Sequence, residues 1–208
     1  MIKSCQDFYV MEYLPDDAGS PHFMDKNWSP ELPDYDIFTS PPEEHSFSEN
    51  YRLKASTEEL DCDFSFIDNL ASSVFIELCN KYGVSYLCRN LNISLLKRKK
   101  PEKEYFLFYL TDYIEILDKE KSKYIISQDI YTGLPDTTDS RGLSKTYYDE
   151  ISHFVIKKDL KKDLFFCQEL SRPVCSLKFK EGFESRNLKG IQFINIDDNF
   201  KYNAWQGW

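Results

Sequence analysis

The sequence has few of the residues from which catalytic and metal sites are usually built. Of its 208 residues, three are histidines and seven are glycines. No two cysteines are spaced as C-x-x-C, and no stretch matches the phosphate-binding motifs G-x-G-x-x-G or G-x-x-x-x-G-K-[ST]. A G-x-S-x-G nucleophile motif and an EF-hand calcium loop are also absent. We therefore expect no catalytic residues, no metal site and no cofactor.

Long apolar segments are lacking as well. No run approaches the roughly 18 residues that a membrane-spanning helix needs, and the segment from Met1 to Asp7 lacks the apolar core of a signal peptide. We therefore expect a cytoplasmic protein that does not contact a membrane. In that compartment its six cysteines would be reduced and mostly buried: Cys5, Cys62, Cys79, Cys88, Cys167 and Cys175.

The sequence is rich in aromatic and apolar residues. Apolar side chains make up 41% of the chain and aromatic side chains 16%, including 16 phenylalanines and 14 tyrosines. Disordered chains usually carry fewer. A chain of this length can bury about 70% or more of the surface that its unfolded state exposes. We expect one globular domain that spans residues 1–208.

The net charge of −9 is concentrated in one segment. Residues 14–50 contain nine acidic residues and one lysine, together with six of the nine prolines. This many prolines exclude a long helix or a central strand. Aromatic side chains such as Trp28 and Tyr35 would have no use in a solvated linker. We expect an acidic, proline-rich, irregular segment that is anchored by its aromatic residues.

A basic cluster, Lys97 to Lys103, resembles a phosphate-binding patch when it is considered alone. Pro101 and the mixed charges around it are more typical of a solvated hairpin turn between two strands. The overall acidity of the chain also disfavours nucleic acid as a partner. We expect a turn here and no binding of nucleic acid.

The spacing of apolar residues predicts strands and short helices. Residues 7–13 and 104–110 have the composition of strands, and the second is apolar on both faces, which predicts a central position and a continuation through residues 111–117. Helical spacing begins after Asp68 and ends at Gly83. Other predicted strands are residues 84–87, 90–95, 151–156 and 164–169. The predicted fold is α+β, mainly antiparallel sheet with two or three short helices.

The C-terminal part of the sequence predicts a helix, a glycine turn and a strand. Ser176 is suited to cap the helix, Phe179 and Phe183 fall on one face, and Gly190 precedes a strand at residues 191–196. The same order occurs around Gly83, which suggests an internal pseudo-repeat. The tail, from Trp205 to Trp208, is either a docking motif or apolar packing against the domain; we favour packing.

A thiol nucleophile is the strongest catalytic alternative. Cys175 precedes a predicted helix N-terminus, which could lower its pKa, and His153 could act as its base. The neighbouring Pro173 and Val174 instead indicate a buried strand, and we favour that interpretation.

Four pieces of sequence, in the same order, resemble the immunity protein 11 family of bacterial polymorphic-toxin systems. They are an opening strand at Phe8–Met11, a strand and turn from Tyr105 to Ser122, a third piece made of Leu164–Phe166 followed by Pro173–Ser176, and the closing unit from Phe179 to Phe193. Residues 14–50 and the tryptophan-containing tail have no counterpart. The resemblance implies a non-enzymatic antitoxin that binds a cognate toxin, and it implies no catalytic residues.

If the protein binds a toxin, the acidic segment is the expected contact surface, because carboxylates with a few large aromatic side chains suit a basic toxin surface. The residues that we expect to contact the toxin are Asp16, Asp17, Trp28, Asp34, Tyr35, Asp36, Glu43 and Glu44.

Three alternatives remain from the sequence. The acids could serve solubility alone. The protein could be a thiol-dependent hydrolase or an enzyme that reverses a toxin's modification, in which case one polar substitution would abolish activity. It could also be a scaffold subunit of a larger assembly. The oligomeric state cannot be derived from the sequence.

Overall fold

The structure is a computed structural model that describes residues 7–14, 25–38, 40–136 and 146–205. Strands predominate within these ranges, and two α-helices accompany them, so the predicted α+β fold is confirmed. The strands are β1 (Phe8–Tyr13), β2 (Lys26–Ser29), β3 (Asn50–Ala55), β4 (Phe64–Ser65), β5 (Leu70–Ser72), β6 (Tyr86–Ser94), β7 (Tyr105–Leu110), β8 (Tyr113–Ile114), β9 (Lys123–Ile126), β10 (Tyr148–His153), β11 (Leu164–Cys167), β12 (Arg172–Ser176), β13 (Ile191–Asn195) and β14 (Tyr202–Asn203). The helices are α1 (Ser73–Lys81) and α2 (Leu177–Glu184).

The strands form three sheets. A six-stranded sheet has the order β2-β3-β6-β7-β5-β4, a five-stranded sheet has the order β13-β1-β12-β11-β8, and β14-β10-β9 form a smaller third sheet. All described pairings are antiparallel except β3 with β6 and β8 with β11. The predicted predominance of antiparallel pairing is therefore confirmed, and β7 is central as its two apolar faces predicted.

The two larger sheets contain the same supersecondary unit. In the first, the hairpin β4–β5 leads into α1, and the strand that follows, β6, is separated from β5 by the antiparallel β7. In the second, the hairpin β11–β12 leads into α2, and β13 is separated from β12 by the antiparallel β1. The inserted strand of the first unit, β7, follows that unit in the sequence. The inserted strand of the second unit, β1, lies far ahead of it in the sequence. The suggested pseudo-repeat is present in this arrangement.

The two helices also begin in the same way. The hydroxyl of Ser72 accepts a hydrogen bond from the backbone N–H of Phe75 at 3.2 Å, and the hydroxyl of Ser176 accepts one from Phe179 at 3.2 Å. Each hydroxyl donates to an aspartate that precedes the hairpin, Asp63 at 2.7 Å and Asp163 at 2.6 Å. Serine is suited to this position because its oxygen satisfies a backbone donor that the first helical turn leaves free.

The main core lies where α1 and α2 meet. Phe75 of α1 contacts Phe179 and Phe183 of α2 in edge-to-face geometry, with ring centroids 6.0 and 6.2 Å apart. All three rings are buried. The helices approach closely because Gly182 has no side chain: a Cβ atom there would lie 2.8 Å from the ring of Tyr82.

Several element boundaries differ from the sequence predictions. The helix predicted to begin after Asp68 begins at Ser73, because Leu70 to Ser72 pair with β7 as a strand. The segment expected to prolong β7 instead places Tyr113 and Ile114 in the five-stranded sheet. The strand predicted at residues 84–87 and its continuation at residues 90–95 correspond to the single strand β6, which runs from Tyr86 to Ser94. The alternating strand β3 was not predicted.

Of the remaining local predictions, the one for the basic cluster is confirmed and the one for the C-terminal tail is wrong at Trp205. The basic cluster lies in the connection between β6 and β7, as expected, and the side chain of Lys97 pairs with Glu58 at 2.8 Å. The packing proposed for the tail is wrong for Trp205, which is 65% exposed; residues 206–208 lie outside the described part. Among the described helices, none is long and apolar enough to cross a membrane.

Candidate partner-binding surface

The acidic segment is mostly irregular, as its prolines predicted. After the edge strand β2 come a cis peptide bond between Ser29 and Pro30 and a stretch without regular structure up to a short 3-10 turn at Glu44–Ser46. Strand β2 itself was not foreseen, but an edge position is compatible with nearby proline. Residues 15–24 and 39 lie outside the described part, and with them Asp16 and Asp17.

Tyr35 anchors this segment to the domain. Its ring packs against Phe47 and Tyr109, with centroids 5.9 and 5.7 Å away. Its hydroxyl donates to the backbone oxygen of Ser40 and lies 3.1 Å from the hydroxyl of Tyr113, which donates to the backbone oxygen of Ile37 at 2.6 Å. Burial raises the pKa of Tyr35 to about 12. These contacts fix the segment on β7 and β8.

Trp28 is used in a similar way. It lies on β2, is half-buried, and packs edge-to-face against Tyr51 of β3 with centroids 6.2 Å apart. The aromatic anchoring that the composition predicted is therefore present. Both Trp28 and Tyr35, which we selected as contact residues for a partner, direct much of their ring surface toward the chain's own core.

Four of the predicted contact residues, Tyr35 and three acidic residues, lie around one cleft. Asp34, Asp36 and Glu43 line a cleft of about 280 Å³, and Tyr35 and Phe47 line it as well. All three acidic residues are exposed. Asp36 accepts a hydrogen bond from the backbone N–H of Phe38 at 2.9 Å, and a carboxylate oxygen of Glu43 lies 3.4 Å from the ring of His45. We call these three residues and their surroundings the acidic cleft.

Glu44 lies beside the acidic cleft but does not line it. Its carboxylate is 3.3 Å from the guanidinium of Arg89, which also donates to the backbone oxygen of Glu44 at 3.0 Å. The side chain of Arg89 is 16% exposed and extends from β6. This pair ties the 3-10 turn to the six-stranded sheet, so Glu44 has a visible role in holding the segment in place.

The acidic cleft is an electrostatically negative recess on a fixed frame. No lysine or arginine lines it among the described residues, and Asp34 forms no ion pair with a described base. Carboxylates gathered in one recess attract cationic groups, and the attraction is stronger in a concave site than on a flat surface. The geometry therefore suits a lysine or arginine side chain from a partner.

The thiol alternative is not supported by the surroundings of Cys175. The residue is fully buried in β12, as its apolar neighbours indicated, and burial raises the pKa of its thiol, contrary to the effect expected from a helix N-terminus. His153 belongs to a different sheet. Burial also raises the pKa of Cys88 to about 11. None of the five described cysteines is in a disulfide.

The sequence analysis missed two features that the structure makes prominent. Glu169 is a buried carboxylate that accepts backbone hydrogen bonds from Ile116 and Leu117, at 3.2 and 2.8 Å. Ile130 and Tyr131, in the turn that follows β9, are 95% and 96% exposed. The contacts of Glu169 join residues that are distant in the sequence, so no local pattern predicts them. The exposed pair could have been found from the sequence, because two large apolar residues stand there between turn-forming residues.

Comparison with known families assigns the chain. The model of the Immunity protein family (Imm11) matches residues 89–198, which is more than half of the chain. The chain belongs to this family. The matched part runs from within β6 to just beyond β13, and it includes three of the four pieces of sequence that carried the resemblance.

Membership of the Imm11 family indicates a protein that neutralises a toxin. The opening strand β1 and the acidic segment precede the matched residues, so the acidic cleft is an addition to the part of the chain that defines the family match. No curated protein matches the chain.

Proposed function

We propose that this protein is a non-enzymatic antitoxin that binds a cognate secreted bacterial toxin through the acidic segment and covers the toxin's active site. The observation that carries the proposal is the convergence of Asp34, Asp36 and Glu43 on one cleft in a member of an immunity protein family. A toxin whose substrate groove is basic, such as a nuclease, is the partner that this surface fits.

The anchoring of the described part of the acidic segment supports this function. Binding is weakened when a loop must be ordered in the complex. Here Tyr35 and the Glu44–Arg89 pair already hold the segment against β6, β7 and β8. The carboxylates are therefore presented without a large loss of conformational freedom. Asp16 and Asp17, which lie outside the described residues, remain predicted contacts with the toxin.

The charge of the segment has a kinetic consequence. Opposite charges on two proteins speed their encounter, whereas residues that are buried in the complex mainly slow dissociation. We therefore assign Asp34, Asp36 and Glu43 chiefly to the association rate. If these acids served solubility alone, neutralising them would slow association no more than neutralising exposed acids elsewhere.

The direct test uses the product of the open reading frame immediately upstream. We expect a one-to-one complex in a pull-down, and we expect co-expression of this protein to restore growth to cells that produce the toxin. Deletion of residues 16–44 should abolish both effects, provided that the shortened protein remains folded by circular dichroism. Full protection by a Cys175→Ala variant would agree with binding.

Two results would contradict the proposal. If the shortened protein retained its affinity for the toxin, the acidic segment would not be the binding surface. If the neighbouring product neither bound nor harmed cells, the antitoxin role with this partner would be wrong. Loss of protection in a folded Cys175→Ala variant would favour an enzymatic mechanism.

A further inference from the structure

The turn after β9 exposes several large apolar side chains close together in the sequence. Ile130 and Tyr131 are 95% and 96% exposed, and Leu134 is 64% exposed. Ile125, on the adjoining strand, is 56% exposed. Burying these side chains against the domain would stabilise the fold, so their exposure is a cost that a binding role would explain. We call residues 128–135 the Ile130 turn.

Asp129 fixes the conformation of the Ile130 turn. One carboxylate oxygen accepts hydrogen bonds from the backbone N–H groups of Tyr131 and Thr132, at 3.0 and 2.7 Å, and from the hydroxyl of Thr132 at 3.0 Å. The backbone of Asp129 also bonds to that of Gly133 and Leu134, at 2.8 and 2.9 Å. This is the pattern by which aspartate stabilises tight turns.

The base of the turn is held equally firmly. The backbone N–H of Asp136 donates to the backbone oxygen of Ser127 at 2.8 Å, and the hydroxyl of Ser127 donates to the carboxylate of Asp136 at 2.7 Å. Both side chains are buried. Ile130 and Tyr131 are therefore presented on a pre-organised support, and their immobilisation in a complex costs little entropy.

The chemistry of the tip indicates what it would bind. Between Ser127 and Pro135 the single charged residue is Asp129, and its carboxylate is engaged by the turn itself. Tyrosine is enriched among residues that dominate interface energetics. The tip therefore suits an uncharged apolar recess, in contrast to the acidic cleft, which suits a basic surface.

The described clefts on a second copy of this chain match such a tip poorly, because each has charged residues in its lining. The cleft of about 620 Å³ beside β13 and β14 is lined by Glu12, Arg172, Asp197 and Lys201 together with apolar side chains. Charged residues also line the other described clefts. The exposed area is also too small for a dimer interface by itself. Large side chains carry roughly 150–250 Å² each, so these four, partly exposed, fall short of the about 800 Å² per partner that stable interfaces bury.

We propose that the Ile130 turn is a second contact with the cognate toxin, with Ile130 and Tyr131 inserted into an apolar recess of that protein. This inference rests on the proposed function. It divides the binding surface into two parts with different kinetic roles: the acidic cleft promotes association, and the Ile130 turn slows dissociation. The turn lies within the residues that define the family match, whereas the acidic cleft precedes them.

The test compares three full-length proteins by surface plasmon resonance on the immobilised toxin. They are the natural protein, the double variant Ile130→Ser/Tyr131→Ser, and the control Leu96→Ser, which changes another exposed apolar residue, 42% exposed, on the connection between β6 and β7. We expect the double variant to dissociate about 10- to 100-fold faster, with an association rate within about twofold of the natural protein. The control should change neither rate.

The outcomes separate this inference from the proposed function. If the natural protein did not bind, the proposed function and this inference would both fail. If it bound and the double variant dissociated at the same rate, this inference alone would fail. Sedimentation of the natural protein as a dimer that the double substitution dissociates would assign the turn to self-association. A lower unfolding free energy in the double variant would show that its own chain covers the turn. Either of these results would also overturn the inference.

Discussion

Asp63 holds together elements that are far apart in the sequence. It is 2% exposed, and one carboxylate oxygen accepts the hydroxyl of Ser72 while the other accepts the backbone N–H of Lys189 at 2.9 Å. The ammonium of Lys103 lies 2.9 Å from the same carboxylate. One side chain thus supports the start of α1 and joins the unit of the six-stranded sheet to the loop before β13.

Replacing Asp63 by asparagine should be strongly destabilising. The change preserves volume but replaces one of the two acceptor oxygens, which face Ser72 and Lys189, by an amide donor, and it removes the charge that faces Lys103. Removing one partner of a buried ion pair lowers the stability of a protein by about 3–5 kcal/mol. We expect Asp63→Asn to lower the free energy of unfolding by about 3 kcal/mol, measured by urea denaturation.

Asp61 provides the matched control for this experiment. It pairs with the same two lysines, but its side chain is 38% exposed. Burial acts to raise the pKa of Asp61, but the hydrogen bonds and charges of Lys103 and Lys189 together lower it. Because exposed ion pairs contribute about 0–1 kcal/mol, Asp61→Asn should have a much smaller effect. Equal losses in the two variants would contradict the role assigned to Asp63.

At the scale of elements, the repeated unit predicts equivalent roles for the two helix caps. Substitution of an N-cap serine by alanine costs about 0.5–2 kcal/mol, and each substitution also leaves an aspartate without its hydroxyl donor. We expect Ser72→Ala and Ser176→Ala each to lower the free energy of unfolding by about 1–2 kcal/mol. Thermal unfolding followed by circular dichroism measures both.

Ser73→Ala is the control for the caps, since Ser73 is adjacent and belongs to the first turn of α1. Alanine is the better helix former, so this substitution should be neutral or slightly stabilising. A loss at Ser73 as large as that at Ser72, or an effect at Ser72 without one at Ser176, would show that the two caps are not equivalent.

Elements whose signals are local were predictable from the sequence. The central position of β7 follows from its apolar faces. The end of α1 shortly before Gly83 follows from a backbone angle that glycine adopts readily, φ +62°. Ser176 was identified as a cap from its position alone. The short strand β5 was not separated from α1, because three apolar or small residues fit either pattern.

Elements that depend on distant contacts were not predictable. Tyr113 leaves the sheet of β7 for that of β11, and this is decided by packing against Phe166, with ring centroids 4.4 Å apart. Asp63 and Lys189 are separated by 126 residues. For the acidic cleft, the sequence supplied the acids, but the folding of Asp34, Asp36 and Glu43 around one recess depends on the anchoring of Tyr35 to Tyr109 and Tyr113.

At the scale of the whole molecule, the charge distribution is the property that the proposed function uses. The net charge of −9 arises chiefly in residues 14–50, and the described part of that segment is fixed on the six-stranded sheet. Long-range attraction between such a surface and a basic toxin is screened by salt over about 10 Å at 0.1 M ionic strength. Association should therefore be fast at low ionic strength and slow steeply as salt is added.

The most direct measurement of the central claim is the association rate with the toxin, by stopped flow from low to high salt, for two variants of equal net charge. One is Asp34→Asn/Asp36→Asn/Glu43→Gln. The other neutralises three exposed acids elsewhere, Glu102→Gln/Glu120→Gln/Asp198→Asn. We expect the first to associate about 10-fold more slowly at low salt and to lose most of its salt dependence, while the second stays within about twofold of the natural protein. Equal rates for the two variants would contradict the assignment of toxin binding to the acidic cleft.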